Sequence, residues 1–270
     1  MLVHADASAQ FAQRLDFACR LAAQHGAGIT ALYASPSTFE APPVSPGLEA
    51  ALAVKRKNAE DAALAKARAL FEQCKPPGLP AAWAEVRDSA LAPAVAEQAL
   101  YADLLVLGQH DAGEGRASRL PIDFPETVIA LSGRPAVVLP YTSARPDLPA
   151  HVVIAWKPTR ATAQAVATAL PILRDARSVT VLSWGAAGVT ADTDMSITSY
   201  LQDHGIQAEW QRENLEPDNL GEVLLSRAFD LHADLLVMGC YGRPRAHEWL
   251  LGGTSRTVLE RMTLPVFMAH

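Results

Sequence analysis

The chain has no run of roughly 18 or more apolar residues that would cross a bilayer, and its start, MLVHADASAQ, lacks the basic segment and apolar stretch of a secretory signal. Only three cysteines occur in 270 residues, Cys19, Cys74 and Cys240, far apart and without a CxxC pair, which argues against a disulfide framework or a zinc knuckle. Basic charge is short as well, with 23 Lys and Arg against 29 Asp and Glu and a formal net charge of −6. A nucleic-acid surface needs clustered Lys and Arg. The one compact basic run, Lys55-Arg56-Lys57, opens a helix-like segment, where a solvated face accounts for it. These absences predict a soluble, cytoplasmic protein that neither inserts into membranes nor binds nucleic acid. Half of the residues are hydrophobic and 19% are charged, ample core material for one large domain or two ordinary ones.

What is present is a repeat. ADLLVLGQ (102–109) returns as ADLLVMGC (233–240), and GRPAVVLPY (133–141) is echoed by TLPVFMAH (263–270), with Pro135 matching Pro265. MLVHADAS (1–8) corresponds to VVIAWKPT (152–159), and GITALYA (28–34) to SVTVLSW (178–184). The matches keep their order, so the chain reads as a tandem duplication, residues 1–142 and 150–270, joined by the Pro-containing stretch TSARPDLPA. Each half alternates short apolar runs with helix-period segments, such as the one carrying Phe11, Leu15, Ala18 and Leu21 on one face. Further helices are expected over 48–73, 95–100, after Pro125, over 163–173, 196–203 and 220–229, and after Thr254. Near-continuous apolar strands alternating with helices imply parallel sheets covered on both faces, hence an α/β protein of two tandem five-stranded doubly wound domains. The Pro-rich segment SPSTFEAPPVSPG (35–47) reads as a loop or lid. The first apolar run begins at residue 2, which makes that strand either short or truncated.

The stretch GCYGRPRAHEWLLGGTSR (239–256) concentrates the chemistry. Ligands in open α/β sheets bind outside the carboxyl ends of the strands, and Gly239 stands at such an end, directly after DLLVM. Gly242 permits a positive-φ turn and close backbone approach, while Thr254 and Ser255 suit the N-cap of the next helix. A helix start beside glycines and hydroxyls favours phosphate, and Arg243 and Arg245 flank the turn as possible phosphate partners. The pattern is neither a P-loop nor a GxGxxG fingerprint. Its spacing, Gly239-x2-Gly242-x9-Gly252-Gly253, resembles the nucleotide-binding loop G-x2-G-x9-G-[S/T] of the universal stress protein family. With the ADLLV-[LM]-G strands, the terminal P-V-x-x-x strands and the repeat, the resemblance extends over essentially the whole chain. It implies an adenine nucleotide alpha hydrolase-like fold, with the two domains packed as an intramolecular pseudo-dimer through their last strands.

The resemblance further implies ATP or another adenine nucleotide as ligand, its phosphates on the glycine loop and its adenosine near an acidic residue after the first strand. In the second half this assigns Met238, Gly239, Gly242, Arg243, Gly252, Gly253, Thr254 and Ser255 from the loop and Ala155 and Lys157 from the first strand. Gly253 stands where the family has Ser or Thr, and Lys157 where the first half has Asp6, so a ribose hydroxyl loses its carboxylate acceptor while Trp156 offers stacking surface. The first half has the reverse defect. Asp6 and Ser8 are in place, but Asp111 replaces the second glycine and no Gly-[S/T] pair precedes the next helix, so this site is expected not to hold nucleotide.

Other constellations are weaker. His4, Asp6, His110 and Asp111 fall at neighbouring strand ends and are low-ranking metal candidates, since such groups more often hydrogen-bond one another. Cys240 is expected to be accessible within the loop and Cys19 to be inert core; Trp249, Leu250 and Leu251 are expected to pack the loop down. No Ser–His–Asp or Cys–His assembly is suggested and no catalytic residue is assigned. The expected function is a stress-response regulatory or protective protein that binds adenine nucleotide through its second domain. The alternatives are a nucleotide-free scaffold for a protein or an apolar metabolite, and a slow ATPase. A second copy of the chain is a further candidate partner, as a homo-dimer.

Overall fold

The fold is described from a computed structural model over residues 1–36, 46–111, 120–142, 146–185, 195–213, 217–240 and 253–270. The chain divides into two compact units, Met1–Ser132 and Gly133–His270. The first contains β1 (Leu2–Ala5), α1 (Gln10–Gln24), β2 (Ile29–Pro36), α2 (Pro46–Cys74), β3 (Ala81–Ser89), α3 (Leu91–Ala99), β4 (Leu105–Gly108) and α4 (Phe124–Ser132). The second contains β5 (Ala136–Leu139), β6 (His151–Ala155), α5 (Arg160–Asp175), β7 (Ser178–Trp184), α6 (Ile197–Asp203), β8 (Ala208–Glu213), α7 (Leu220–Asp230), β9 (Leu235–Gly239), α8 (Thr254–Arg261) and β10 (Val266–Ala269).

The first unit orders its strands β3-β2-β1-β4, all parallel, with Leu2 opposite Thr30 on one side and Leu105 on the other. Right-handed crossovers from β1 to β2 to β3 put α1 and α2 on one face. The return past β1 to β4 puts α3 on the other, where it packs with α4. Every residue of β1 and β4 is buried, the signature of strands covered on both faces. Phe11, Leu15 and Phe17 of α1 and Phe124 and Ile129 of α4 are among the fully buried side chains of this core.

The second unit runs β5-β10-β9-β6-β7-β8. Its pairs are parallel except β5 with β10, where Val138 faces Val266 and Ala136 faces Met268 in antiparallel register. The last strand of the first sequence repeat therefore pairs with the last strand of the second. The division into compact units consequently falls after Ser132, ahead of the expected end at residue 142. Among the described residues the expected helices all form. The segment expected as a loop over 35–47 is shorter at both ends. Ser35 and Pro36 extend β2, and Pro46 opens α2, a first-turn position where proline's missing N–H costs nothing; residues 37–45 lie outside the described residues.

In both units the strand order reverses beside the first strand, between β1 and β4 and between β6 and β9. Close packing at the second reversal rests on a glycine. A Cβ on Gly239 would lie 2.7 Å from the Thr162 backbone nitrogen and 2.9 Å from the Ala161 carbonyl carbon, so the first turn of α5 sits directly on the end of β9. Thr159 caps that helix, its hydroxyl accepting from the Thr162 N–H at 3.3 Å. A methyl group there must displace backbone on both sides. We expect Gly239→Ala to destabilise the protein by about 1–3 kcal/mol through overpacking, read as a lowered urea midpoint at unchanged slope. An unchanged midpoint would show that α5 does not rest on this strand end.

Candidate functional site

The strand-end crevices of the two units are built from corresponding positions. β1 pairs Leu2 with Leu105 and β6 pairs Val153 with Leu236, so His4, Asp6 and Ser8 correspond to Ala155, Lys157 and Thr159. One turn into the helices, Arg14 of α1 corresponds to Ala165 of α5.

In the second unit, Ala155 and Trp156 at the end of β6 are half-buried, Lys157 is exposed, and the Trp156 N–H donates to the Leu182 carbonyl at 2.7 Å. Met238 is buried within β9. α8 begins at Thr254, so its N-cap is Gly253, which has no side chain to accept from the first turn. This corrects the expectation that Thr254 and Ser255 cap the helix. They are its first two residues, Thr254 half-buried and Ser255 buried. The N-cap residue therefore supplies no side-chain acceptor to the first-turn N–H groups. A Cβ on Gly253 would meet nothing within 4 Å, so the Ser or Thr of the family pattern would fit there. Gly242, Arg243, Arg245 and Gly252, with Trp249, Leu250 and Leu251, lie outside the described residues. Cys240, expected to be accessible, is fully buried. Its N–H donates to the Ala269 carbonyl at 2.7 Å, continuing the β9–β10 ladder one residue beyond Gly239 and drawing the side chain inward. Cys19 is buried as expected, and burial, followed by the negative charge of Asp16, pushes its thiol up to about 11.

The first unit is organised differently. Arg14 lies on the buried face of α1 and is only 3% exposed. Its Nη2 stands 2.6 Å from Asp6 Oδ2 and its Nε donates to the His4 carbonyl at 3.1 Å. The guanidinium also fills the space beside Gly108, where a Cβ would lie 2.5 Å from Arg14 Nη1. Asp6 accepts from both the N–H and the hydroxyl of Ser8, the former at 2.9 Å. Burial would raise the Asp6 carboxyl, but the Arg14 charge, His4 when protonated and the Ser8 hydrogen bonds together hold it at about 2. His4 is buried against the Phe124 ring, with centroids 4.9 Å apart, and burial lowers its pKa to about 4. Its Nδ1 faces Asp6 at 3.7 Å, too far for a hydrogen bond. His110 Nδ1 lies instead 3.1 Å from the Leu120 carbonyl, and Asp111 accepts from Gln10 at 3.4 Å. Thus His4 and Asp6 are together while His110 and Asp111 engage other partners. Among the described residues no three His, Cys, Asp or Glu side chains are grouped to hold a metal.

Residues 150–270 match the family model for the universal stress protein family. The second half of the chain is a universal stress protein domain. The whole chain shares its fold with solved structures of that family. A universal stress protein from Archaeoglobus fulgidus is 14% identical, with a TM-score of 0.69 over 98% of this chain and 94% of that one. A putative universal stress protein from Pseudomonas aeruginosa is 15% identical, with a TM-score of 0.59 over 98% and 90%. The cytoplasmic domain of a prokaryotic cation chloride cotransporter is also similar, at 10% identity and a TM-score of 0.54 over 98% and 93%. No curated protein matches. One fold carries proteins as different as these, so function has to be argued from the crevices. No helix among the described residues is long and apolar enough to cross a membrane.

The buried ion pair makes a signed prediction. Asp6, held at about 2, contributes stability that is complete above the ordinary carboxylate range and is lost as pH falls through its folded value. Arg14→Met removes the cation and leaves burial, which raises the carboxyl above its unfolded value and makes the ionised form destabilising at neutral pH. His4, lowered to about 4, costs both proteins stability below its unfolded pKa, and more so while Arg14 is present. Arg14→Met is therefore expected to cost about 3 kcal/mol or more at pH 7, with the gap to the unmodified chain narrowing steadily toward pH 5. Urea unfolding at several pH values checks this, and a gap that is constant or widens contradicts it.

Proposed function

We propose that this chain is a stress-response regulatory or protective protein whose second unit takes ATP or a related adenine nucleotide at the reversal between β6 and β9. The observation that carries the reading is the start of α8. The helix begins without a capping side chain, following a loop with the family's glycine spacing that leaves a strand end at the reversal. A helix N-terminus whose cap residue carries no side chain suits an anionic phosphate. Gly239, Gly253, Thr254 and Ser255 belong to this end of the site; Gly242, Arg243 and Gly252 are added from the sequence pattern alone. Lys157, exposed after β6, places a positive charge where the first unit has a carboxylate. A polyphosphate gains from that charge and a ribose hydroxyl loses an acceptor, so recognition is weighted toward the phosphates.

Isothermal titration with ATP, ADP and AMP at millimolar concentration tests the reading. Saturable heat at one nucleotide per chain, stronger for ATP than for AMP and abolished by Gly242→Asp, is the expected outcome. Gly253→Ser introduces a cap hydroxyl without a clash and is expected to stabilise α8 by a few tenths of a kcal/mol.

One observation favours a nucleotide-free scaffold as second reading: Gly239 has a sufficient structural reason in the approach of α5, whatever the loop binds. Absence of heat with all three nucleotides would overturn nucleotide binding and leave that alternative. Phosphate release over hours, lost in Gly242→Asp, would instead mark a slow ATPase.

A further inference from the structure

The first unit holds a charged group at the position where an α/β crevice receives a ligand, and that group belongs to the chain itself. We propose that Arg14 is a built-in occupant of the first unit's crevice. Its guanidinium is seated as an internal ligand on Asp6 and the His4 carbonyl, and it closes this half to any outside molecule. The inference concerns the first unit only and stands whether or not the second holds nucleotide.

Four observations support it. First, the guanidinium is inserted at the reversal between β1 and β4: it reaches the His4 carbonyl at the end of β1 and fills the space beside Gly108 at the end of β4. Second, its acceptors are those a free cation would use. The Asp6 carboxylate stands 2.6 Å from Nη2 and the His4 carbonyl accepts from Nε at 3.1 Å. Third, Asp6 is organised for this role by two hydrogen bonds from Ser8, whereas the corresponding Thr159 is turned instead to capping α5. Fourth, the second unit has no counterpart to the pair, since Ala165 and Lys157 stand at the positions of Arg14 and Asp6. Lys66 from α2 adds a second cation at the rim, its Nζ donating to the Ala7 carbonyl at 2.8 Å. The His4 imidazole, 2% exposed, points Nδ1 at the same carboxylate without reaching it.

The alternative is a purely local strut: Arg14 pairs with Asp6 but leaves no formed cavity when removed, because α1 collapses onto β4 as α5 has onto β9. The two differ in what happens when the side chain is cut back. An internal ligand leaves a shaped, negatively polarised hole that a free planar cation re-enters; a strut leaves nothing to bind.

The experiment is cavity rescue. Arg14→Ala is melted in buffer of fixed ionic strength with methylguanidinium chloride or methylammonium chloride at tens of millimolar, beside the unmodified chain, Arg14→Met, which refills the volume without charge, and Asp6→Asn/Arg14→Ala. The expected result is that methylguanidinium raises the midpoint of Arg14→Ala by about 3 °C, that methylammonium does so less, and that the other three proteins show no rise. If Arg14→Ala is unfolded in buffer, methylguanidinium must restore its near-ultraviolet circular dichroism while methylammonium does not. No rescue, or equal rescue of Arg14→Met or of the double variant, overturns the proposal.

Discussion

The ends of these strands are governed by how closely the first helix of each repeat approaches the strand beyond the reversal. In the second unit the approach is backbone to backbone, with α5 resting on Gly239 so tightly that a single methyl group would not fit. In the first unit a long side chain comes between them, and Gly108 makes room for a guanidinium rather than for a helix turn. One small-residue position after DLLV thus serves two different contacts. The chemistry of each crevice follows from which contact is made. Where the helix sits close, no buried charged side chain lies among the described residues of the crevice, and the exposed residues set what can bind. Where Arg14 intervenes, Asp6 is committed to it, and the strand end is satisfied from within.

That asymmetry links the architecture to the proposed function. Duplication supplies two crevices, and the two have diverged in opposite senses. The first keeps the carboxylate but encloses a cation on it; the second lacks the carboxylate and keeps the glycine loop and an uncapped helix start. A buried ion pair of this kind is weak evidence for added stability, since desolvating both charges offsets much of their attraction. Its consequence is specificity: with Asp6 paired and Gly108 covered, the first unit has little to offer a ligand, and any response to one belongs to the second. The fold is shared with proteins as different as a universal stress protein and a transporter's cytoplasmic domain, so this division of roles rests on particular residues.

Much of the architecture is legible in the sequence because its signals are local. The ADLLV runs are too apolar to be anything but buried strands, and their repetition fixes the order of elements in both halves. The antiparallel pairing of β5 with β10 is less visible, since neither terminal run states what lies beside it. The site is harder still. Arg14 stands three residues from Phe11 and four from Ala18, on the apolar face of α1, and a charge on such a face demands a partner. Asp6, directly after the preceding strand, is the acid nearest that strand's end, so that pair was within reach of periodicity alone. Cys240 reads as loop because it follows a glycine, yet the β9–β10 ladder runs one residue further and buries it. Thr254 and Ser255 have cap chemistry, but the helix starts one residue too early for either to act as cap, and only the backbone decides that register.

The two crevices are unequal because one is filled by the chain's own arginine. A crystal structure of the chain grown with millimolar ATP tests it most directly. Nucleotide density is expected in the second unit alone, with phosphates at the start of α8, and Arg14 still seated on Asp6 in the first. Nucleotide in the first crevice with Arg14 displaced, or equal occupancy of both, would contradict it.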